Sequence, residues 1–282
     1  MTENGSITVL PDYKIRARNT SAASENKIHD DKVAASFGFK GGLVPGVTVY
    51  GYMTVPLVTA FSYDWLERGT MRVKFHQPAY EGDELLICAE VNAEVNNDSE
   101  PIKVTIRAER DGTVCATGVA TINDRAERLA GPDPRDYPES TLPLADRRPP
   151  ASPENLRPGT LLGTIVEKLD LRETESGLLR RLAEPLEMYR GNNAVAHPTA
   201  LLTFANYALM YNFQLGPWIH AASDLINWSV ARDGELISVR GRITECFEKK
   251  GHEFVVLDLL LLADSVRPVQ QVRHTAIYRM RK

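Results

Sequence analysis

VTVYGYMTVPLVTAF, Val47 to Phe61, is apolar nearly all round if it is wound as a helix. A helix with no polar face must be enclosed by the rest of the chain. Val and Thr are modest helix formers and Pro56 should kink such a helix. A second stretch of the same kind, TALLTFANYALMYNF, runs from Thr199 to Phe213. Two enclosed helices in one chain of 282 residues call for two enclosing sheets.

The sequence supplies them. After the first helix comes MRVKFHQPAYEGDELLICAEV, and after the second SDLINWSVARDGELISVRGRI, both with strand-like alternation. Their turn signals, Glu81-Gly82-Asp83 and Asp233-Gly234-Glu235, are offset by 152 residues, as are Val47 and Thr199. One offset that aligns helix, turn and strand without a gap marks a duplicated unit. PIKVTIRAERDGTVCATGVATI then alternates on both sides of Asp111-Gly112, a strong hairpin signal. HEFVVLDLLLLADSVRPVQQVRHTAIYRM does likewise around Ala263-Asp264-Ser265. Residues 5–14 and 160–188 are expected to add opening strands.

Between the repeats, eight of the 17 prolines fall within Pro132–Pro158, in a charged stretch that reads as a linker. The expected division is 1–123 for the first repeat, 124–159 for the linker and 160–282 for the second. The expected class is α+β, each repeat an antiparallel sheet wrapped around one long buried helix.

Composition excludes several roles. The chain is 43% hydrophobic and 25% charged, with a net charge of −4 and no basic arm, so nucleic acid is not an expected partner. The longest greasy run, Val255–Ala263, is interrupted by Asp258 and is too short to span a membrane. No secretory leader is evident in MTENGSITVL. Cys88, Cys115 and Cys246 are odd in number and widely spaced, which fits reduced structural thiols in the cytoplasm. No HxH, HExxH or CxxC spacing supports a metal, and no glycine-rich nucleotide motif is present.

Immediately before the first helix stands ENKIHDDKVAASFGFKGGLVPG, Glu25 to Gly46. Asn26, Ile28, His29, the Ala34-Ala35 pair, Gly38-Phe39 and Gly46 resemble the motif of the MaoC-like (R)-specific enoyl-thioester hydratases and dehydratases. The duplication resembles the two-repeat members of that family, which have a tandem (double) hotdog fold. The resemblance covers both halves, its motif about twenty residues of the first. Two positions depart from the pattern: Ser24 stands where the family has its catalytic Asp, and Lys27 where Pro is usual.

The resemblance implies a lyase of fatty-acid metabolism that hydrates or dehydrates an acyl thioester of CoA or a carrier protein. It needs no cofactor beyond that carrier. His29 would be the base, Asn26 would orient water, and the amide of Gly46 would hold the thioester oxygen. A helix N-terminus suits that last role, and a glycine lets a ligand approach. Ser24 is not a useful base, and Asp31, two residues on, could partner His29. His197 aligns with Pro45 at the start of the second helix. Asn206 lies where double-hotdog acyl-CoA thioesterases, a second resemblance, often carry a water-orienting polar residue. A thioesterase is therefore the alternative enzyme, and a non-catalytic acyl-thioester-binding protein the alternative to an enzyme. Two such chains could form a homodimer.

Overall fold

The computed structural model describes residues 6–93, 102–122, 131–172 and 177–281. The first half contains β1 (Ser6–Val9), β2 (Tyr13–Arg16), α1 (Asp31–Ser36), α2 (Gly46–Arg68), β3 (Gly69–Phe75), β4 (Glu84–Ala93), β5 (Ile102–Arg110) and β6 (Thr113–Ile122). The second contains β7 (Leu161–Lys168), α3 (Leu178–Leu182), α4 (Pro198–Met210), β8 (Ile219–Asn227), β9 (Leu236–Lys249), β10 (His252–Ala263) and β11 (Arg267–Arg279).

Among the described residues these strands make one antiparallel sheet, ordered β1-β4-β5-β6-β3-β8-β11-β10-β9-β7, with β2 also on β4. The order reads as two copies meeting at β3 and β8. Their register has a two-fold centre. Arg72 lies opposite Asp224, Thr70 opposite Ile226 and Lys74 opposite Ala222. Arg72 and Asp224 are 152 residues apart and form an ion pair at 3.2 Å. Equivalent residues of the two repeats therefore meet on one pseudo-dyad, as in an isologous dimer interface. The turn glycines Gly82 and Gly234 both have φ +83°, a left-handed conformation that glycine adopts without a Cβ clash.

Both helices lie against this sheet. α2 buries Val47 to Val58 without interruption, and Leu201, Leu202, Phe204, Ala205, Ala208 and Leu209 of α4 join the same core. Full burial of side chains of the size of Leu57 or Leu202 contributes about 1.5–3 kcal/mol each. The helices touch near the dyad, where the Thr199 hydroxyl donates to the Val47 carbonyl at 3.1 Å. A Cβ at Gly51 would lie 2.0 Å from that hydroxyl oxygen, so the crossing needs glycine there.

Three sequence expectations change. The backbone of α2 leaves helical geometry at Ser62 (φ 49°), six residues past Pro56. α4 stops at Met210 rather than running to Phe213. The Asn212 side chain accepts from the Gly163 amide at 2.6 Å and donates to the Ala208 carbonyl at 2.9 Å, turning the chain toward β7. The proline-rich segment, expected as a linker, is anchored to the fold at several points over its described part; residues 124–130 lie outside the described residues. Tyr137 and Leu156 are buried, and the Tyr137 hydroxyl donates to the Asp258 carboxylate at 3.0 Å. Arg148 donates to the Met210 carbonyl and pairs with Glu25 of the first half. Proline suits such a strap because its fixed φ lowers the entropy lost when the segment is laid on the sheet.

Candidate functional site

The turn that carries His29 is built by its own sequence. Asn26 caps a short 3-10 turn, Lys27–His29, accepting from the Ile28 amide at 3.3 Å. Asp30 then caps α1 through the Val33 amide. The chain returns through Gly41-Gly42 and lies on the turn, with the Leu43 amide bonded to the Ile28 carbonyl. A Cβ at Gly42 would lie 2.1 Å from the His29 carbonyl oxygen, which explains the double glycine.

This loop fixes the imidazole. His29 Nδ1 lies 2.7 Å from the Leu43 carbonyl oxygen, which can only accept, so Nδ1 carries the proton. Nε2 of the neutral ring is then the basic nitrogen and can only accept. It accepts from the Asn26 side-chain amide in a long hydrogen bond of 3.4 Å. Burial holds the His29 pKa below its ordinary value, with the Leu43 hydrogen bond opposing that shift.

Asn26 does more than cap. Its Oδ1 accepts from the Trp218 amide at 3.2 Å and its Nδ2 donates to the Trp218 carbonyl at 3.0 Å. It thus clamps the start of β8 onto the histidine turn, joining the two repeats across 192 residues.

Two cavities meet there. One of about 530 Å³ is lined by Ser24, Val47, Tyr189, His197 and Thr203 among others. One of about 270 Å³ is lined by Leu43, Gly46, Phe75, Cys115, His220 and Ile277 among others. Asn26, His29, Asn206 and Trp218 line both, so these four form the polar seam between them. Two of the four leave a buried polar atom unpartnered among the described residues: Oδ1 of Asn206 and Nε1 of Trp218.

The remaining candidates divide. Gly46 begins α2 on the wall of the smaller cavity, and its amide makes no hydrogen bond among the described residues. The space a Cβ would take there lies 2.8 Å from His220 Nδ1 and 3.1 Å from the Phe75 ring. The glycine thus admits two of the protein's own side chains on that side, rather than a ligand. Ser24 lines only the larger cavity, and its hydroxyl donates to the Asn26 carbonyl at 3.3 Å. Asp31 does not partner His29. It is exposed and accepts from the Gly42 amide at 2.8 Å, because at two residues' separation it faces the glycine loop instead. His197 caps α4 through Nδ1 and bonds Glu184 through Nε2 at 2.9 Å, both side chains buried. Both its nitrogens are occupied, which makes it a support for the larger cavity's wall.

Sequence reading missed two features. Trp218, not among the sequence candidates, is a seam residue. His220 and Ser223 of β8 and His274 of β11 form one buried chain: Ser223 Oγ lies 2.8 Å from His220 Nε2 and 3.1 Å from His274 Nδ1. Burial keeps both rings neutral, pushing His274 down to about 3 and His220 well below its ordinary value. His76 and His252 also line the smaller cavity. No local spacing announces this convergence, because it arises from strands that pair only in the fold. Among the described residues no group of three or more His, Cys, Asp or Glu is placed to hold a metal ion.

The seam therefore offers one neutral base, one orphan donor, one orphan acceptor and a free helix-terminal amide nearby. It offers no carboxylate. Among the residues lining the two cavities Asp170 alone carries one, and it is bound by Arg172 at 2.5 Å.

No protein-family model matches the sequence, and no curated protein matches it. Solved structures do. A MaoC-like dehydratase superposes with a TM-score of 0.64 at 14% identity, covering 98% of each chain. A Mycobacterium tuberculosis protein described as having a double hotdog fold gives 0.61 at 14% identity, over 98% of this chain and 96% of its own. A thioesterase II from Thermobifida fusca gives 0.55 at 14% identity, over 95% and 92%. The fold is that of the double hotdogs, shared by MaoC-like dehydratases and thioesterases. No helix among the described residues is long and apolar enough to cross a membrane.

Proposed function

We propose that the protein binds an acyl thioester of CoA or a carrier protein in the joined cavities and adds or removes water across its C2–C3 bond. In hydration, His29 Nε2 takes a proton from water as the oxygen bonds to C3. The thioester oxygen gains charge and is held by the free amide at the start of α2. The proton is then returned to C2. A preorganised donor where charge develops and a neutral base positioned to take the proton are the two requirements of this step. The observation that carries the reading is the neutral His29 ring at the seam of two cavities, its Nδ1 proton held by Leu43 and its basic Nε2 held only by a 3.4 Å hydrogen bond from Asn26.

The chain needs no further cofactor in this scheme. Cytoplasmic residence fits its three free cysteines. Assembly as a homodimer fits the exposed Leu161 and Val166 on the edge strand β7, and light scattering of the purified chain tests it.

The test of function is mass spectrometry of a trans-2-enoyl-CoA panel incubated with wild type and His29→Ala. Hydrated thioester that disappears in the variant supports the proposal. Free CoA instead would favour a thioesterase, the reading that the unpartnered Asn206 Oδ1 supports as a water-orienting acceptor. An unchanged panel that nonetheless binds would favour a non-catalytic acyl-binding protein, in keeping with the missing carboxylate.

A further inference from the structure

Trp218 is 2% exposed, yet its indole N–H has no hydrogen-bond partner among the described residues. A buried donor left unpaired costs about 1–3 kcal/mol, so native structures rarely keep one without a use. Its position suggests the use. Trp218 lines both cavities of the seam, beside His29 and Asn206. The main chain of Trp218 is held at both its N–H and its C=O by Asn26, which fixes where the ring stands relative to His29.

The acceptor side has a matching orphan. Asn206 Oδ1 is buried on the same two cavities and also unpartnered. The two residues come from different parts of the second repeat, the position just before β8 and the middle of α4. A group that satisfies both must accept from an indole N–H and donate to an amide oxygen. A hydroxyl does both with one oxygen atom; a saturated acyl chain does neither.

We propose that Trp218 is a ligand-contacting residue whose indole N–H, together with Asn206 Oδ1, holds a hydroxyl group carried by the acyl chain at the seam. This rests on the acyl-thioester reading above and adds two residues from the second repeat to the site. Such a site selects by penalty as much as by attraction. A ligand without the hydroxyl leaves a buried donor and a buried acceptor unpaired, and sites built this way reject the deoxy analogue strongly.

Calorimetry on the full chain tests the proposal, with 3-hydroxyacyl-CoA and saturated acyl-CoA of equal length, from four to ten carbons. Wild type should bind the hydroxylated member of a pair about tenfold or more tightly, the scale of one or two buried hydrogen bonds. Trp218→Phe keeps an aromatic six-membered ring and removes the N–H together with the pyrrole half of the indole. It should erase most of that preference, weakening the hydroxylated ligand about tenfold more than the saturated one. Asn206→Leu, on a separate helix, should do the same. Should Trp218→Phe fail to fold, the wild-type indole N–H resonance decides: it should move with the hydroxylated ligand and stay in place with the saturated one. Equal weakening of both ligands, or an unchanged preference in both variants, overturns the proposal. If no thioester of either series binds wild type, the acyl-thioester reading falls and takes this one with it.

Discussion

His29 is a base only while its ring is neutral, and the structure sets the pH at which that holds. Its burial lowers the pKa below the ordinary 6.5, so the free-base form persists into mildly acidic solution. The acid limb of kcat/KM for enoyl-thioester hydration should therefore lie below pH 6.5, and a limb at or above 7 would count against His29 as the base. The sequence motif leads us to expect Ser24 at the place of the acid it lacks, and the Ser24 hydroxyl donates to the Asn26 carbonyl. Ser24→Asp brings a carboxylate to the cavity that His29 also lines. The expected outcome is a rise in hydration rate of about 10²-fold, the usual worth of a second proton-transfer group. No rise in a turnover assay would show that residue 24 does not occupy the lost acid's position.

At the scale of elements, two contacts hold the site's framework. The first is the α2–α4 crossing at Gly51. Gly51→Ala drives a methyl into the Thr199 hydroxyl and should cost about 1–3 kcal/mol, the usual penalty of overpacking. Urea melts of Gly51→Ala, Thr199→Ala and the double variant make the check. The pair should be non-additive, since the smaller residue at 199 relieves the clash. The second is the Asn26 clamp on Trp218. Asn26→Leu strips the partners from a buried amide and a buried carbonyl and should destabilise by about 3 kcal/mol. It should also loosen β8 locally, read as faster amide exchange at Trp218. An unchanged melt and exchange rate would mean the clamp is redundant with the β3–β8 ladder.

The whole molecule carries a pH dependence from His220 and His274. Both have folded pKa values lowered by burial, His274 to about 3, while the unfolded chain titrates near 6.5. Their contribution is complete above pH 6.5. As pH falls below that, the unfolded state binds protons that the folded state refuses, and stability drops. Each group costs up to about 1.4 kcal/mol per pH unit until its folded pKa is reached. The urea midpoint should be flat from pH 8 to 7 and fall between 6 and 4, the fall halving in His274→Phe if that variant folds. Arg72 and Asp224 mark the dyad but are largely solvent-exposed, so Arg72→Ala should change stability by less than about 1 kcal/mol. The join between repeats rests on the backbone ladder of β3 and β8 instead.

The sequence by itself determined the duplication, the two enclosed helices and the antiparallel order within each half. Those features are local patterns of apolarity and turn chemistry, and a period or a glycine position is legible without knowing what lies across from it. It also determined the histidine turn, because Asn26, His29 and Gly42 act within twenty residues of one another. Only the tertiary structure decided the seam. Trp218 reaches His29 through an Asn26 clamp 192 residues away, and His220 meets His274 because β8 and β11 pair side by side. It also decided that Gly46 yields to His220 and Phe75, that Asp31 faces a loop, and that the proline-rich segment is an anchored strap. Hydrogen bonds and steric contacts of that kind depend on which surfaces the two repeats bring together, and that follows from the pairing of β3 with β8, which no local pattern encodes.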